Sequence, residues 1–390
     1  MPVTNCPGKA VNQTTAAEPM PLHRPILPAL GAFVNDNKCD DRREKSRTRV
    51  VRQVCVPLRQ QADKAFHLSI TVIIIPGLTL KSVSDEDLAR IHSAAGADAD
   101  VKVCTPDEAI KQAHNADVIL GVVPPELFAA APNLRWVQSI TSGVDAFMYP
   151  EFINSPVLLT SEKGLVGEHL ADHGFGLLLM LTRQLAAARD LGPEAWQHRP
   201  ALRAQEIELT GSTLLLIGLG GTGRAMARRA LAFGMQVVAV DRDHVAEMAG
   251  VDLHIGINKL DALITQADVV AVCCPLTEQT HGLINEQRLM RMKPSARLIN
   301  VTRGEVIDEA ALVNALNTAE IAGAGLDVAP REPLPVDSGL WSAPNIVMTP
   351  HTAGASQYRA GRNLDRFVSN LRKFVMDEAL DGLIDKTLGY

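Results

Sequence analysis

The stretch that decides the fold is Ser212-Thr213-Leu214-Leu215-Leu216-Ile217-Gly218-Leu219-Gly220-Gly221-Thr222-Gly223, continued after a helix-like segment by Val237-Val238-Ala239-Val240-Asp241. The apolar run 213–217 has strand length, the glycines make a turn, the Ala/Arg/Met-rich segment to Phe233 has helical composition, and 237–240 is a second strand ending in an acid. In such a unit the first glycine permits a tight turn, the second lets the backbone approach a pyrophosphate, and the third packs the helix onto the sheet. Free amides at the helix start then face the phosphates. A glycine turn also serves as a plain strand-to-helix loop, so the flanking strands and Asp241 are what point to a dinucleotide. Asp241 can accept hydrogen bonds from both ribose hydroxyls and repels a 2′-phosphate, which favours NAD over NADP. Arg242 works against that preference by offering a guanidinium beside it.

With 390 residues the chain exceeds what one core usually supports, so about two domains are expected. A net charge of −6, with 21% charged and 46% hydrophobic residues, lacks the basic excess that nucleic acid binding needs. The expected partner is a small molecule. No apolar run reaches the ~20 residues of a membrane-spanning helix. None of the six cysteines forms a CxxC pair, and Cys273-Cys274 lie in an apolar run; reduced thiols and a cytoplasmic location are expected.

Residues 1–66 are rich in Pro, Asn, Thr and Gln, then carry the charge run 40–47, and show no periodicity. They are expected to be a disordered extension, or a translation start assigned too early. From 69 onward strands (69–75, 99–103, 116–120, 135–140, 157–160) alternate with helices opened by Ser84 and Pro106, which implies a parallel sheet covered on both faces. A single long helix over 167–185 should bridge to the second sheet, whose further strands are expected at 269–273, 297–301, 323–328 and 346–348. Helices are expected over 259–267, after Asn285, over 309–317 and over 355–374, the last returning to the first sheet. The expected fold is α/β: a doubly wound Rossmann-type NAD-binding domain (166–350) inserted into a flavodoxin-like substrate domain (67–165 with 351–390).

Ligands of such sheets bind beyond the carboxyl ends of the strands. Three residues just past predicted strands form a chemical set: Arg303, Glu332 and His351. Oxidising an alcohol needs a base for the hydroxyl proton and the reverse reaction an acid, work suited to the imidazole of His351. A carboxylate such as Glu332 favours the protonated imidazole and fixes its tautomer, and a guanidinium such as Arg303 binds a substrate carboxylate and polarises the carbonyl next to it. Singly, each has a bland alternative as a surface charge, a solvated loop acid or a capping histidine. Their joint occurrence in this order argues against that.

The motifs around them resemble those of the D-isomer-specific 2-hydroxyacid dehydrogenases. Asn300-Val-Thr-Arg303-Gly304-Glu-Val-Ile-Asp308-Glu309 is similar to the family's arginine motif, Gly325-Leu-Asp327-Val-Ala-Pro-Arg-Glu332-Pro333 to its glutamate motif, and Thr349-Pro350-His351-Thr-Ala-Gly354 to its histidine motif. The resemblance spans about 69–390. It implies that Ser142, Gly143 and Val144 hold the substrate carboxylate with their amides. It implies further that Gly221, Thr222, Cys274, Pro275, Thr280, Val301, Thr302, Arg303, Asp327, His351 and Gly354 join Gly218, Gly220, Gly223 and Asp241 around the cofactor. The implied activity is NAD-dependent interconversion of a small D-2-hydroxy acid and its 2-oxo acid, of the glyoxylate/hydroxypyruvate-reductase or phosphoglycerate-dehydrogenase kind, in a homodimer built on the 167–185 helix and the arm after it. Ala329, where the family often has an aromatic residue, and Asp172, where it usually has glutamate, depart from the pattern.

Two other readings stand beside this one. His169 and His173 share one helix face with Glu168 and Asp172, a spacing seen in zinc sites, but no third ligand follows nearby and no metal is expected. An NAD-sensing corepressor-like protein on the same fold is the alternative function, with 1–66 as its docking arm.

Overall fold

A computed structural model describes residues 69–390, and the expectations for 1–66 lie outside them. The first sheet has five strands, β1 (Thr71–Ile74), β2 (Asp100–Val103), β3 (Val118–Leu120), β4 (Trp136–Gln138) and β5 (Leu158–Thr160), in the order β2-β1-β3-β4-β5. The second has seven: β6 (Thr213–Ile217), β7 (Gln236–Asp241), β8 (Val251–Ile255), β9 (Val269–Val272), β10 (Arg297–Asn300), β11 (Gly323–Leu326) and β12 (Ile346–Met348), in the order β12-β11-β10-β9-β6-β7-β8. All strand pairs are parallel. The first order is flavodoxin-like and the second doubly wound, reversing between β6 and β9, where such sheets take their ligands.

Strands β1, β3 and β4 are buried along their whole length, as expected of parallel strands covered on both faces. The C-terminal helix, Arg359–Val375, supplies part of that cover. Trp136 of β4 lies 5.4 Å from the rings of both Phe367 and Phe374, and its indole N–H donates to Thr160 Oγ1 at 2.8 Å. Each aromatic pair adds about 0.5–1.5 kcal/mol beyond its buried area. The bridging helix, Gly167–Thr182, packs instead on the second sheet's glycine-loop helix, Gly221–Ala232, through Phe175 stacked on Phe233 at 5.3 Å and through Glu168 and Asp172 bonded to Arg229.

Several elements differ from expectation. The edge strand β8 was not anticipated, because only every other residue (Val251, Leu253, Ile255) is apolar, with Asp252 and His254 between. The bridging helix stops at Thr182 rather than 185: Gln184 adopts a left-handed backbone (φ 52°), and three short helices over 185–205 form a separate arm. The final helix begins at Arg359, after a turn in which Ser356 Oγ accepts from the Tyr358 amide. The segment 259–267 is split into short helical turns, and β11 ends at Leu326, so that Asp327 leaves the sheet.

Candidate active site

The turn after β6 has the geometry a dinucleotide needs. Gly218 has φ +100°, closed to most side chains, and a Cβ on Gly223 would lie 2.1 Å from the Gly218 carbonyl oxygen, so the helix sits directly on the turn. At Gly220, the helix N-cap, a Cβ would meet nothing within 4 Å, which is the open side where phosphates can approach. Gly221 and Thr222 open the helix. Asp241 ends β7 with one oxygen accepting from the Leu219 amide at 2.7 Å and the other from the Asp243 amide at 3.1 Å, which ties the acid to the glycine turn.

On the other side of the reversal, Cys274 is buried, and burial pushes its thiol up to about 12, so it is an inert wall rather than a nucleophile. Pro275 and Thr280 shape the loop that follows. The Thr280 hydroxyl donates to the Pro275 carbonyl at 2.7 Å and accepts from the Thr277 amide at 2.7 Å, so its bonds serve the loop itself.

His351 and Glu332 are brought together: Nδ1 lies 2.6 Å from Glu332 Oε2, while Oε1 accepts from the Ala329 amide at 3.0 Å. Both side chains are partly exposed. The His351 backbone is left-handed (φ 54°) and its amide donates to the Asp327 carbonyl at 2.7 Å. Asp327, only 1% exposed, gathers the rest of that turn: Oδ1 accepts from Thr349 Oγ1 (2.6 Å) and the Thr352 amide (2.9 Å), and Oδ2 from the Ala353 amide (2.8 Å). A buried carboxylate with this many donors is well compensated, and the turn that carries His351 is built around it. His173 Nε2 joins through Thr349 Oγ1 at 2.7 Å.

Arg303 takes its side-chain partner from the first sheet rather than from that pair. Its Nε lies 2.9 Å from Asp145 Oδ2, the same oxygen is 2.9 Å from Nη2, and Nη1 donates to the Thr302 carbonyl at 2.8 Å. A Cβ on Gly143 would lie 1.5 Å from Nη2, so the guanidinium rests on the bare backbone of the 142–144 loop. Ser142 and Gly143 are half-buried there, and Val144 turns its side chain into the core. Val301 is buried, and Thr302 is held by its amide (3.0 Å) and hydroxyl (3.1 Å) on Asn300 Oδ1, whose Nδ2 donates to the Arg303 carbonyl. Gly354 gives its carbonyl to Arg359, which also pairs with the buried Glu162 at 2.5 Å; burial raises that carboxyl above its usual range.

Sequence reasoning assigned no role to Asp145 or Asn300, although Asn300 opens the arginine motif and Asp145 directly follows the 142–144 loop. The signal for Asn300 was a polar residue ending an apolar strand. Asp145 offered none, because its partner is 158 residues away. Among the helix residues weighed as metal ligands, Glu168 and Asp172 bond Arg229 and His173 bonds Thr349, while both nitrogens of His169 are buried without a partner among the described residues.

A profile described as "D-isomer specific 2-hydroxyacid dehydrogenase, NAD binding domain" matches residues 175–353. A glyoxylate reductase of Korarchaeum cryptofilum is 34% identical over 289 residues, 71% of this chain and 85% of that protein. A D-isomer specific 2-hydroxyacid dehydrogenase family protein of Aeromonas salmonicida superposes with a TM-score of 0.67 at 31% identity, covering 82% of this chain and 99% of that one. A D-isomer specific 2-hydroxyacid dehydrogenase of Xanthobacter autotrophicus, in complex with NADPH and MES, does so with a TM-score of 0.68 at 26% identity, covering 83% and 100%.

Proposed function

The chain belongs to the D-isomer specific 2-hydroxyacid dehydrogenase family, and from that premise we propose how its residues divide the work. The protein is a D-2-hydroxyacid dehydrogenase with a Rossmann-type domain for a nicotinamide dinucleotide, interconverting a hydroxy acid and its oxo acid. His351 is the acid and base. The observation that carries this is the 2.6 Å contact of Nδ1 with Glu332, which keeps that proton on Nδ1 and leaves Nε2 to exchange a proton with the substrate oxygen. Glu332 orients the ring and fixes its tautomer. Arg303 holds the substrate carboxylate: Nε is bonded to Asp145 and Nη1 to the Thr302 carbonyl, and the guanidinium, resting on the bare backbone of Gly143, keeps further donors for it. The nicotinamide, when bound, supplies or accepts the hydride.

The glycine turn, Asp241, Val301, Thr302 and the residues from His351 to Gly354 border the cofactor in this reading, and Asp327 acts by fixing the His351 turn. Asp241 favours NADH over NADPH. The substrate is a small 2-oxo acid such as glyoxylate or hydroxypyruvate, supported by the relative's activity. Residues 67–165 and 351–390 form the substrate domain and 166–350 the cofactor domain, in line with the seating of the C-terminal helix on Trp136. The buried Cys104 and Cys274 support a cytoplasmic location. A homodimer is supported by exposed Leu185 and Trp196 on the arm and by a cavity of about 660 Å³ between the bridging helix and the segment around Tyr358. Light scattering at micromolar concentration should give twice the chain mass.

The test of the activity is NADH oxidation with glyoxylate, hydroxypyruvate, pyruvate and phosphohydroxypyruvate. Highest kcat/KM on the first two is expected. Turnover of none, or fastest turnover of the phosphorylated acid, would overturn the assignment.

A further inference from the structure

Beyond the C-terminal helix the chain runs back along the first sheet and is fastened there. The Ile384 amide donates to Leu159, the Ser161 amide to Gly382, and Lys386 Nζ bonds the carbonyls of Phe152, Ser155 and Val157 at 2.6–2.9 Å. Asp385 then closes a turn with its carboxylate on Thr387 and Leu388, and its amide donates to the Tyr390 carbonyl. That turn carries Tyr390 over to the second sheet, beside the end of β7. The Tyr390 hydroxyl donates to Asp243 Oδ2 at 2.8 Å, and the Arg242 guanidinium lies 4.9 Å from its ring centroid. Arg242 in turn bonds both oxygens of Asp243, at 3.3 and 3.0 Å.

Arg242 follows Asp241 directly, so it is the cation best placed to meet a 2′-phosphate on the adenosine ribose. Here the guanidinium is bonded to Asp243 and, at 3.4 Å, to Gln279 Oε1, it lies over the Tyr390 ring, and Asp243 is pinned by the Tyr390 hydroxyl. To turn toward a phosphate, Arg242 must leave an aromatic face and a charged hydrogen bond that the tyrosine stabilises together. We propose that Tyr390 is a specificity-determining positioning residue: carried by the first sheet, it holds Arg242 and Asp243 together and so withholds the guanidinium from a 2′-phosphate, disfavouring NADPH. Asp241 repels the phosphate, and Tyr390 removes its rescuer.

This rests on the dinucleotide lying at the glycine turn, and binding rather than turnover separates the two claims. Fluorescence titration of the full chain with NADH and with NADPH, without substrate, is compared for the parent, Tyr390→Ala, Tyr390→Phe, Arg242→Gln and the double variant Tyr390→Ala/Arg242→Gln. Tyr390→Ala should tighten NADPH roughly tenfold and leave NADH within about twofold, from the size of cation–π and charged hydrogen bonds. Tyr390→Phe, which keeps the ring over Arg242, should tighten NADPH less. In the Arg242→Gln background Tyr390→Ala should have no effect on NADPH, because the effect runs through the guanidinium. Equal changes for the two cofactors, or a gain that persists without Arg242, would overturn the proposal alone. No NADH binding by the parent would overturn the dinucleotide reading and this proposal with it.

Discussion

Arg303 takes its main partner from across the cleft, Asp145 on the loop after β4, whereas His351 takes both its restraints, Glu332 and the turn bound by Asp327, from its own sheet. The difference separates two kinds of preorganisation. The imidazole and its carboxylate are assembled wherever the two sheets stand relative to each other. The guanidinium is held only while the 142–145 loop and the turn after β10 face each other.

The comparison breaks first at His351. His351→Ala should lower kcat about 10³-fold, within the usual range for a lost acid–base group, and leave KM within a few-fold. Glu332→Gln should follow it in kind with a smaller loss in kcat, since the amide no longer holds the ring and its tautomer as the carboxylate does. Stopped-flow and steady-state rates decide this; rates equal to the parent would leave the 2.6 Å contact without a kinetic role.

Arg303→Ala comes next, with kcat/KM down by roughly 10²–10³ and a raised KM contributing, because it touches both the carboxylate and the developing charge. A loss confined to kcat would place Arg303 with His351 rather than opposite it.

Asp145→Ala sharpens the contrast. Losing the partner across the cleft should raise the KM for the oxo acid about two- to tenfold, the cost of immobilising one long side chain, with kcat retained. A fall in KM would make Asp145 a competitor for the guanidinium instead.

The smallest effect concerns stability. Burial, helped by Arg359 and Arg362, holds the pKa of His169 below its ordinary value. The stability that goes with its neutral form is complete above ~6.5 and is lost as pH falls from there through the lowered value, so Tm should decline below about pH 6.5. The decline should be shallower in His169→Phe; equal slopes would remove His169 as its source.

What the sequence made legible was whatever local pattern encodes. The strand-turn-helix-strand unit around Gly218 and Asp241, the alternation that gave two parallel sheets, and Arg303, Glu332 and His351 at strand ends all follow from short-range periodicity and position. Strand β8 was legible too, in the alternation of Val251, Leu253 and Ile255, but one solvated face hid it. The break at Gln184 could not be read, since nothing in a glutamine announces a left-handed backbone. Nor could the Asp145–Arg303 and Tyr390–Arg242 contacts, which join residues far apart in the chain through the packing of the two sheets. The residues of the candidate site were therefore visible in local pattern, and the distant contacts that hold them were not.

The left-handed backbone at His351 has one more consequence. A side chain with a Cβ is held there at a conformational cost of about 1 kcal/mol that glycine would escape, so the residue proposed for proton transfer sits where selection for thermal endurance alone would not keep it. A descendant of this chain excused from catalysis and retained for its shape should drift at this position early. Glycine there, beside an intact glycine turn and Asp327, would be the mark of a lineage that had changed occupation.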